Sequence, residues 1–304
     1  MLIGVGGLAG CGKAVQGPTG GMAALGGGNG EQAKLNAYTT ADNTLLGGYG
    51  LTEEYRQYAK EDIPNKKPDD IYVPISDGWM DQARGELKSA RGLPAGSLPD
   101  VDTAADKLLT ALNAVLARQD GLKVYYESKA YKDDGLARGR REDPLLIADY
   151  KTAMAAMTGF ETVLQQHRSA RTDRELAILK SRGDMLAYDT KLSIKQARAV
   201  IDTFKKPEDL HNPALIARAD GEVAQLEHTL VDQRAEIAKA KQRETGTQQF
   251  SYSQYGSAND SLNQMLGYYR DFKHSGQPTD YSNAIGAFNS AVGDVNSVVS
   301  VRGG

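Results

Sequence analysis

The stretch that decides the fold is "HNPALIARADGEVAQLEHTLVDQRAEI", residues 211–237. Ile216, Ala219, Val223, Leu226, Leu230 and Ile237 fall in heptad order along it. Apolar residues at this spacing line one stripe of an α-helix, and that stripe must be buried. Asn212-Pro213 supplies the start: a capping side chain, then a residue suited to the first helical position. Gly246 ends the pattern.

The same periodicity extends outward in both directions. Pro99-Asp100 and Asp102 provide the stop and cap before a helix carrying Leu108, Leu112, Val115 and Leu122. After Pro144, Leu146, Tyr150, Ala153, Met157, Phe160, Leu164 and His167 alternate at spacings of four and three. Ile178, Met185, Leu192 and Ala199 repeat every seven, with Leu179, Leu186 and Val200 beside them, up to Lys206-Pro207. Tyr255, Leu262, Leu266 and Tyr269 mark a further helix, and Ile285, Phe288, Val292, Val295 and Val299 a last one. No convincing period-two strand is present. "DDIYVPISDG" (69–78) has strand propensity, but Pro74 interrupts it, and it reads as a loop. The expected fold class is all-α: an antiparallel multi-helix bundle with a flexible Gly-rich N-terminal tether.

Composition limits the function classes. The chain has 304 residues, 25% charged and 40% hydrophobic, with a net charge of -3. That balance is globular and carries no basic excess to attract nucleic acid. No apolar run is long enough to span a bilayer. Cys11 is the one cysteine, which excludes an intramolecular disulfide and a cysteine-based zinc site.

Around Cys11, "GGLAGCGKAV" (6–15) admits two readings. Gly7 to Lys13 fits the front of a phosphate-binding loop. That motif needs a following helix, and "AVQGPTGG" cannot hold one; Ala14 also replaces the hydroxyl that would meet magnesium. "LLIAD" (145–149) offers no second nucleotide motif, because Leu146 and Tyr150 belong to a helical stripe. Leu8-Ala9-Gly10-Cys11 instead fits a lipobox, in which Cys11 is lipidated after cleavage. Residues 1–10 then form a truncated signal segment, 11–30 the lipidated Cys and a tether, and 31–304 the helical body. Signal peptides open on a basic segment, and no Lys or Arg precedes Lys13. The expectation is therefore that Met1 is an internal start with a basic segment encoded upstream.

"YYESKAYKDDGLARGR", residues 125–140, carries a resemblance. With Tyr125-Tyr126, Tyr131-Lys132-Asp133-Asp134 and Gly139, it resembles the YiiG-like bacterial lipoproteins, whose shared domain has no assigned function. "RELAILKSRGDMLAYDTKLSIKQARAVID" (174–202) follows the same family's layout, and "KLNAYTTADNTL" is a looser match. The resemblance implies an all-helical, lipid-anchored protein facing the cell envelope. It brings no catalytic residues.

Tyr125, Tyr126, Tyr131, Lys132, Asp133 and Asp134 form the candidate ligand or partner surface. Paired carboxylates and a lysine could bind a cation or a sugar beside stacking tyrosines. The competing reading, which we favour, is a helix corner. In it Asp133 and Asp134 cap the next helix and the tyrosines keep their hydroxyls at the surface. Glu208 and His211 give one Glu-x-x-His spacing at a helix junction, with no second copy; His167, His228 and His274 read as structural or solvated. "RTDRE" (171–175) and "KQRE" (241–244) read as solvated ion-pair faces. Phe250, Tyr252 and Tyr255 either face a partner or begin a helix, and the helix is favoured.

No cofactor, metal or nucleic-acid partner is expected. The expected partners are the membrane, through the lipid, and an envelope protein or glycan. The expected role is binding or structural, on the periplasmic face of the outer membrane. The alternatives are an envelope enzyme with a site in the bundle groove, and a soluble cytoplasmic helical protein.

Overall fold

In a computed structural model, the described residues are 29–302, leaving out 48–49, 73–74, 76–77, 95–97, 205–206 and 244–247. They contain α-helices and short 3-10 turns and no strand. Cys11 and the rest of the expected tether lie outside the described residues. The fold is an all-α helical bundle. The chain divides into two compact units, one ending at Ser169 and the other beginning at Ala170.

The N-terminal unit contains α1 (Asn29–Leu46), α2 (Leu51–Lys60), α3 (Gly78–Gly92), α4 (Pro99–Glu127) and most of α5 (Ala137–Ser181). Side-chain bonds fix the helix directions. Lys34 reaches the Arg91 carbonyl at 3.5 Å and Thr44 donates to Glu86 at 2.7 Å, so α1 and α3 run antiparallel. His167 meets Asp100 at 2.8 Å and Arg118 meets Glu142 at 3.2 Å, so α4 and α5 do too. The stripes expected on α4 and α5 are buried, from Leu108 to Leu122 and from Leu146 to Leu164. Each such side chain contributes roughly 1.5–3 kcal/mol.

Two sequence expectations change here. α5 begins at Ala137, not after Pro144; Pro144 lies on the exposed face, where water can reach the Arg140 carbonyl left without its donor. Asp102 is a tertiary partner as well as a first-turn acid. It accepts from the Lys34 ammonium at 2.9 Å and from the Tyr38 hydroxyl at 2.5 Å. Burial opposes its ionisation, but these two bonds outweigh burial and hold its carboxyl below the usual range. Lys34 itself is only 3% exposed, so this ion pair ties α1 to α4 inside the unit. His167 is half-buried and engaged by Asp100 at the end of its stripe.

The C-terminal unit contains the last turns of α5, α6 (Met185–Asp202), α7 (Pro213–Arg243), α8 (Gln248–Ser275) and α9 (Pro278–Arg302). Arg234 donates to Asn259 at 3.0 Å and Lys273 to Asp220 at 2.6 Å, which makes α7 and α8 antiparallel. α8 and α9 form a hairpin through Ser261–Asp294 and Phe272–Tyr281. The seam of α7 is buried from Ala219 to Leu230 and again at Ile237. Between them Gln233 occupies a seam position and is fully buried. It donates to the Thr190 hydroxyl of α6 at 2.9 Å and accepts from the Asn259 amide of α8 at 2.9 Å. Asn259 also donates to the Leu230 carbonyl at 2.9 Å. A polar layer therefore links three helices between two apolar clusters, one around Leu226, Leu266 and Phe288, the other around Ile237, Tyr252 and Tyr255.

The heptad expected from Ile178 to Ala199 is not one helix. Gly183 adopts φ +70, with Gly183 N–H bonded to the Lys180 carbonyl and Asp184 N–H to that of Leu179. This left-handed turn ends α5. Asp184 then caps α6 by accepting from the Ala187 amide at 3.3 Å. The buried residues of α6 are Ala187, Asp189, Thr190, Ser193, Ala197, Val200 and Ile201, while Met185, Leu192 and Ala199 are half-buried; of the residues beside the heptad, Leu179 and Val200 are buried. The hydroxyl of Thr190 stands where Gln233 approaches. On α9 the buried residues are Tyr281, Ala284, Ala287, Phe288 and Ala291; Ile285 and Val292 are half-buried against the same cluster, Val295 is half-buried, and the side chain of Val299 is outside the described residues. Glu175, expected on a solvated face, is buried and accepts from Arg171 at 2.7 Å and from Lys191 of α6.

Gly183 has open space where a Cβ would stand, so only its backbone conformation resists substitution. Gly183→Ala should lower unfolding free energy by about 1 kcal/mol. Gly183→Asn should cost less, because Asn tolerates the left-handed region. Urea unfolding of the three proteins checks the order.

Candidate functional site

The corner between α4 and α5 holds the residues singled out in the sequence. Ser128 ends α4, and Lys129 turns the chain with φ +58. A 3-10 turn, Ala130–Lys132, follows; Gly135 and Leu136 then both take positive φ before α5 begins. For Leu136 that conformation costs about 1–2 kcal/mol. It is held by complete burial of the side chain and by its N–H bonding to the Tyr131 carbonyl at 2.9 Å.

Inside this corner the three tyrosines pack on each other. Tyr125 and Tyr126 meet edge to face at 5.1 Å, and Tyr126 and Tyr131 are 6.2 Å apart. All three are at most 5% exposed, so they offer no stacking surface to a ligand. Their hydroxyls are not all at the surface either. Tyr125 donates to Asp134 at 2.8 Å and lies 3.3 Å from the Gly139 amide, while the Tyr126 hydroxyl is buried without a hydrogen-bond partner. Burial pushes the Tyr126 hydroxyl well above its ordinary titration range.

Asp134 is the capping residue. Its carboxylate accepts from the Arg138 amide at 3.0 Å as well as from Tyr125. The Arg138 amide first, then the Tyr125 hydroxyl, hold it below the usual carboxylate range. Asp133 instead ends the 3-10 turn and is exposed, as is Lys132, which pairs with Asp69 at 3.0 Å. The six residues are thus close in space, but their functional atoms do not converge. Most of them hold the corner.

Sequence reasoning missed two arginines that complete the clamp. Arg138 stacks over the Tyr125 ring at 5.4 Å and donates to the Gly121 carbonyl at 2.6 Å. Arg140 donates to the carbonyls of Gly135 at 2.8 Å, Lys66 at 2.9 Å and Pro64 at 3.3 Å. The loop after α2 is therefore fastened to the start of α5. The run "ARGRRE" at this helix start was the available signal, since cations gain little from a helix N-terminus. Behind the corner, Tyr58 donates to buried Asp143 at 3.0 Å and Gln119 to Tyr150 at 2.8 Å. Burial raises the Asp143 carboxyl above its ordinary range.

Other sequence candidates resolve similarly. His228 pairs with Asp232 at 3.0 Å, His211 is exposed, and the Glu208 side chain is outside the described residues. Among the described residues no group of three His, Cys, Asp or Glu side chains could hold a metal ion. Tyr252 and Tyr255 are buried within α8 as helix residues, and the Phe250 side chain is outside the described residues.

Gly139 explains itself at this corner. A Cβ there would stand 3.0 Å from the Tyr126 hydroxyl oxygen. Tyr126→Phe should leave stability unchanged or raise it by about 1 kcal/mol, because it removes a buried group without a partner. Gly139→Ala should be more favourable by about 1 kcal/mol in the Tyr126→Phe background than alone, since helix propensity then acts without the clash. A double-mutant cycle in urea reads both.

Comparison with known proteins adds the family. No curated protein and no solved structure matches the chain. A family model described as "Protein of unknown function (DUF3829)" matches residues 30–290, from the first turn of α1 into α9. The chain belongs to the DUF3829 family.

Proposed function

We propose that this protein is a YiiG-like lipoprotein of the bacterial envelope, anchored through lipid on Cys11, whose helical body serves a binding or structural role and not a catalytic one. The observation that carries the reading is the position of Cys11. It is the chain's one cysteine, it closes the apolar run ending Leu8-Ala9-Gly10, and a Gly-rich stretch separates it from α1 at Asn29. A thiol in that setting is suited to lipidation, and the stretch behind it has the composition of a flexible tether. No helix among the described residues is long and apolar enough to cross a membrane, so attachment through acyl chains is the membrane mode the reading requires.

The non-catalytic part rests on the corner. Its tyrosines pack on one another, and Tyr125, Asp134 and Arg140 bond to the chain itself, which is the work of a scaffold. The exposed helix faces then serve an envelope partner. The periplasmic face of the outer membrane is the proposed location, since Gly12 and not Asp follows the cysteine.

Intact mass of the protein expressed from its own locus, beside Cys11→Ala, tests the anchor. The expected product begins at Cys11 and carries diacylglyceryl and acyl mass; the substitution abolishes that mass. An unmodified product retaining residues 1–10 contradicts the proposal.

A further inference from the structure

α1 carries a second polar residue in an apolar seam. Leu35, Tyr38, Asp42 and Leu45 follow the three-and-four spacing that faces the core, and their neighbours in the unit's cluster are fully buried. Tyr38 fixes where this face meets α5: its ring packs edge to face on Phe160 at 5.5 Å. One turn further along, Asp42 is 7% exposed, and its Oδ1 is buried without a hydrogen-bond partner. A buried carboxylate oxygen with no donor favours the protonated acid.

The surrounding charges do not supply a dedicated counter-ion. From α5, Glu161 opposes ionisation of Asp42, and Arg168 assists it. Of the cations on α1 and α3, Lys34 is committed to Asp102 of α4, Arg91 to Asp102 and Asp106, and Arg84 to Asp81. Glu86 of α3 accepts from Thr44 at 2.7 Å, on a different face of α1.

We propose that Asp42 is a proton-controlled latch: protonated, it lets α1 seat against α5, and ionised, it makes α1 the segment of the N-terminal unit that opens first. Burial first, then the facing Glu161, push its carboxyl up to about 7. The sign follows from linkage. The folded state keeps a proton that the unfolded chain releases near pH 4, so this group's contribution to stability is greatest at low pH. It declines as pH rises to about 7 and is constant above that. The device responds to acidification with tightening, the reverse of ordinary acid unfolding driven by paired carboxylates. It does not depend on Cys11 or on membrane attachment.

Urea unfolding of the full chain and of Asp42→Asn between pH 5 and 8 is the test. Asn has the shape of the protonated acid and cannot ionise. The ratio of the wild-type to the variant unfolding constant should rise by up to about tenfold per pH unit until pH 7, then level. Amide exchange over residues 35–46, corrected for intrinsic pH dependence, should quicken between pH 5 and 7 and then level, in the wild type alone. Parallel stability curves for the two proteins overturn the proposal. A second readout needs no variant to fold: carbon NMR of the Asp42 carboxyl in the native protein should titrate with a midpoint above about 6, and a lower midpoint overturns the latch.

Discussion

A buried polar side chain at a helix seam is costly unless its donors and acceptors find partners, and this constraint organises the core of the C-terminal unit. Gln233 lies where an apolar residue would continue the heptad of α7. Its amide is placed between Thr190 on α6 and Asn259 on α8. Thr190 in turn donates to the Leu186 carbonyl at 2.7 Å, and the Asn259 oxygen accepts from Arg234 and from Asn263 at 3.0 Å each. Sliding any one helix by a turn would leave several of these groups without partners, at about 1–3 kcal/mol apiece. Apolar packing alone is permissive about such slips; the polar layer is not. The register of α6 against α7 and of α7 against α8 follows from that layer.

The N-terminal unit meets the same problem differently. Its buried ion pair, Lys34 with Asp102, is completed by the Tyr38 hydroxyl and by Arg91, so the charges are compensated on both sides. Asp42, two turns along the same helix, has no such completion for one oxygen. The two acids lie in neighbouring environments and titrate in opposite directions, Asp102 downward and Asp42 upward. Hydrogen-bond donors, not burial alone, decide the difference. The corner between α4 and α5 is a third solution. There Asp134 caps a helix, Arg140 grips a loop, and one tyrosine hydroxyl is left unpaired next to a glycine.

Much of the architecture was legible in the sequence because its core helices are periodic. The stripes of α4, α5 and α7 were read almost throughout, with only Ile216 and His167 half-buried, and the all-helical class followed from them. What escaped was burial without hydrophobicity. Beside Val200 and Ile201 the inner face of α6 is made of Ala, Thr, Ser and Asp, and that of α9 leans on Ala284, Ala287 and Ala291, so a search for large apolar residues finds only part of either face. The break at Gly183-Asp184 was also readable, as a left-handed stop followed by a capping acid, but an accidental seven-residue spacing ran across it. The gap at position 233 in the heptad was visible too; its meaning needed the partners at Thr190 and Asn259. At the candidate surface, tyrosine is the ambiguous residue, equally suited to a wet groove or a dry corner, and only packing decides.

The corner's side chains serve the fold. In the C-terminal unit Thr190, Gln233 and Asn259, on three helices, act as one unit. A double-mutant cycle between Gln233→Ala and Asn259→Ala, read by urea unfolding, tests that claim most directly. The account predicts a coupling free energy of about 0.5–3 kcal/mol, because each amide loses its partner when the other is removed. Additivity of the two substitutions, within about 0.3 kcal/mol, would contradict it.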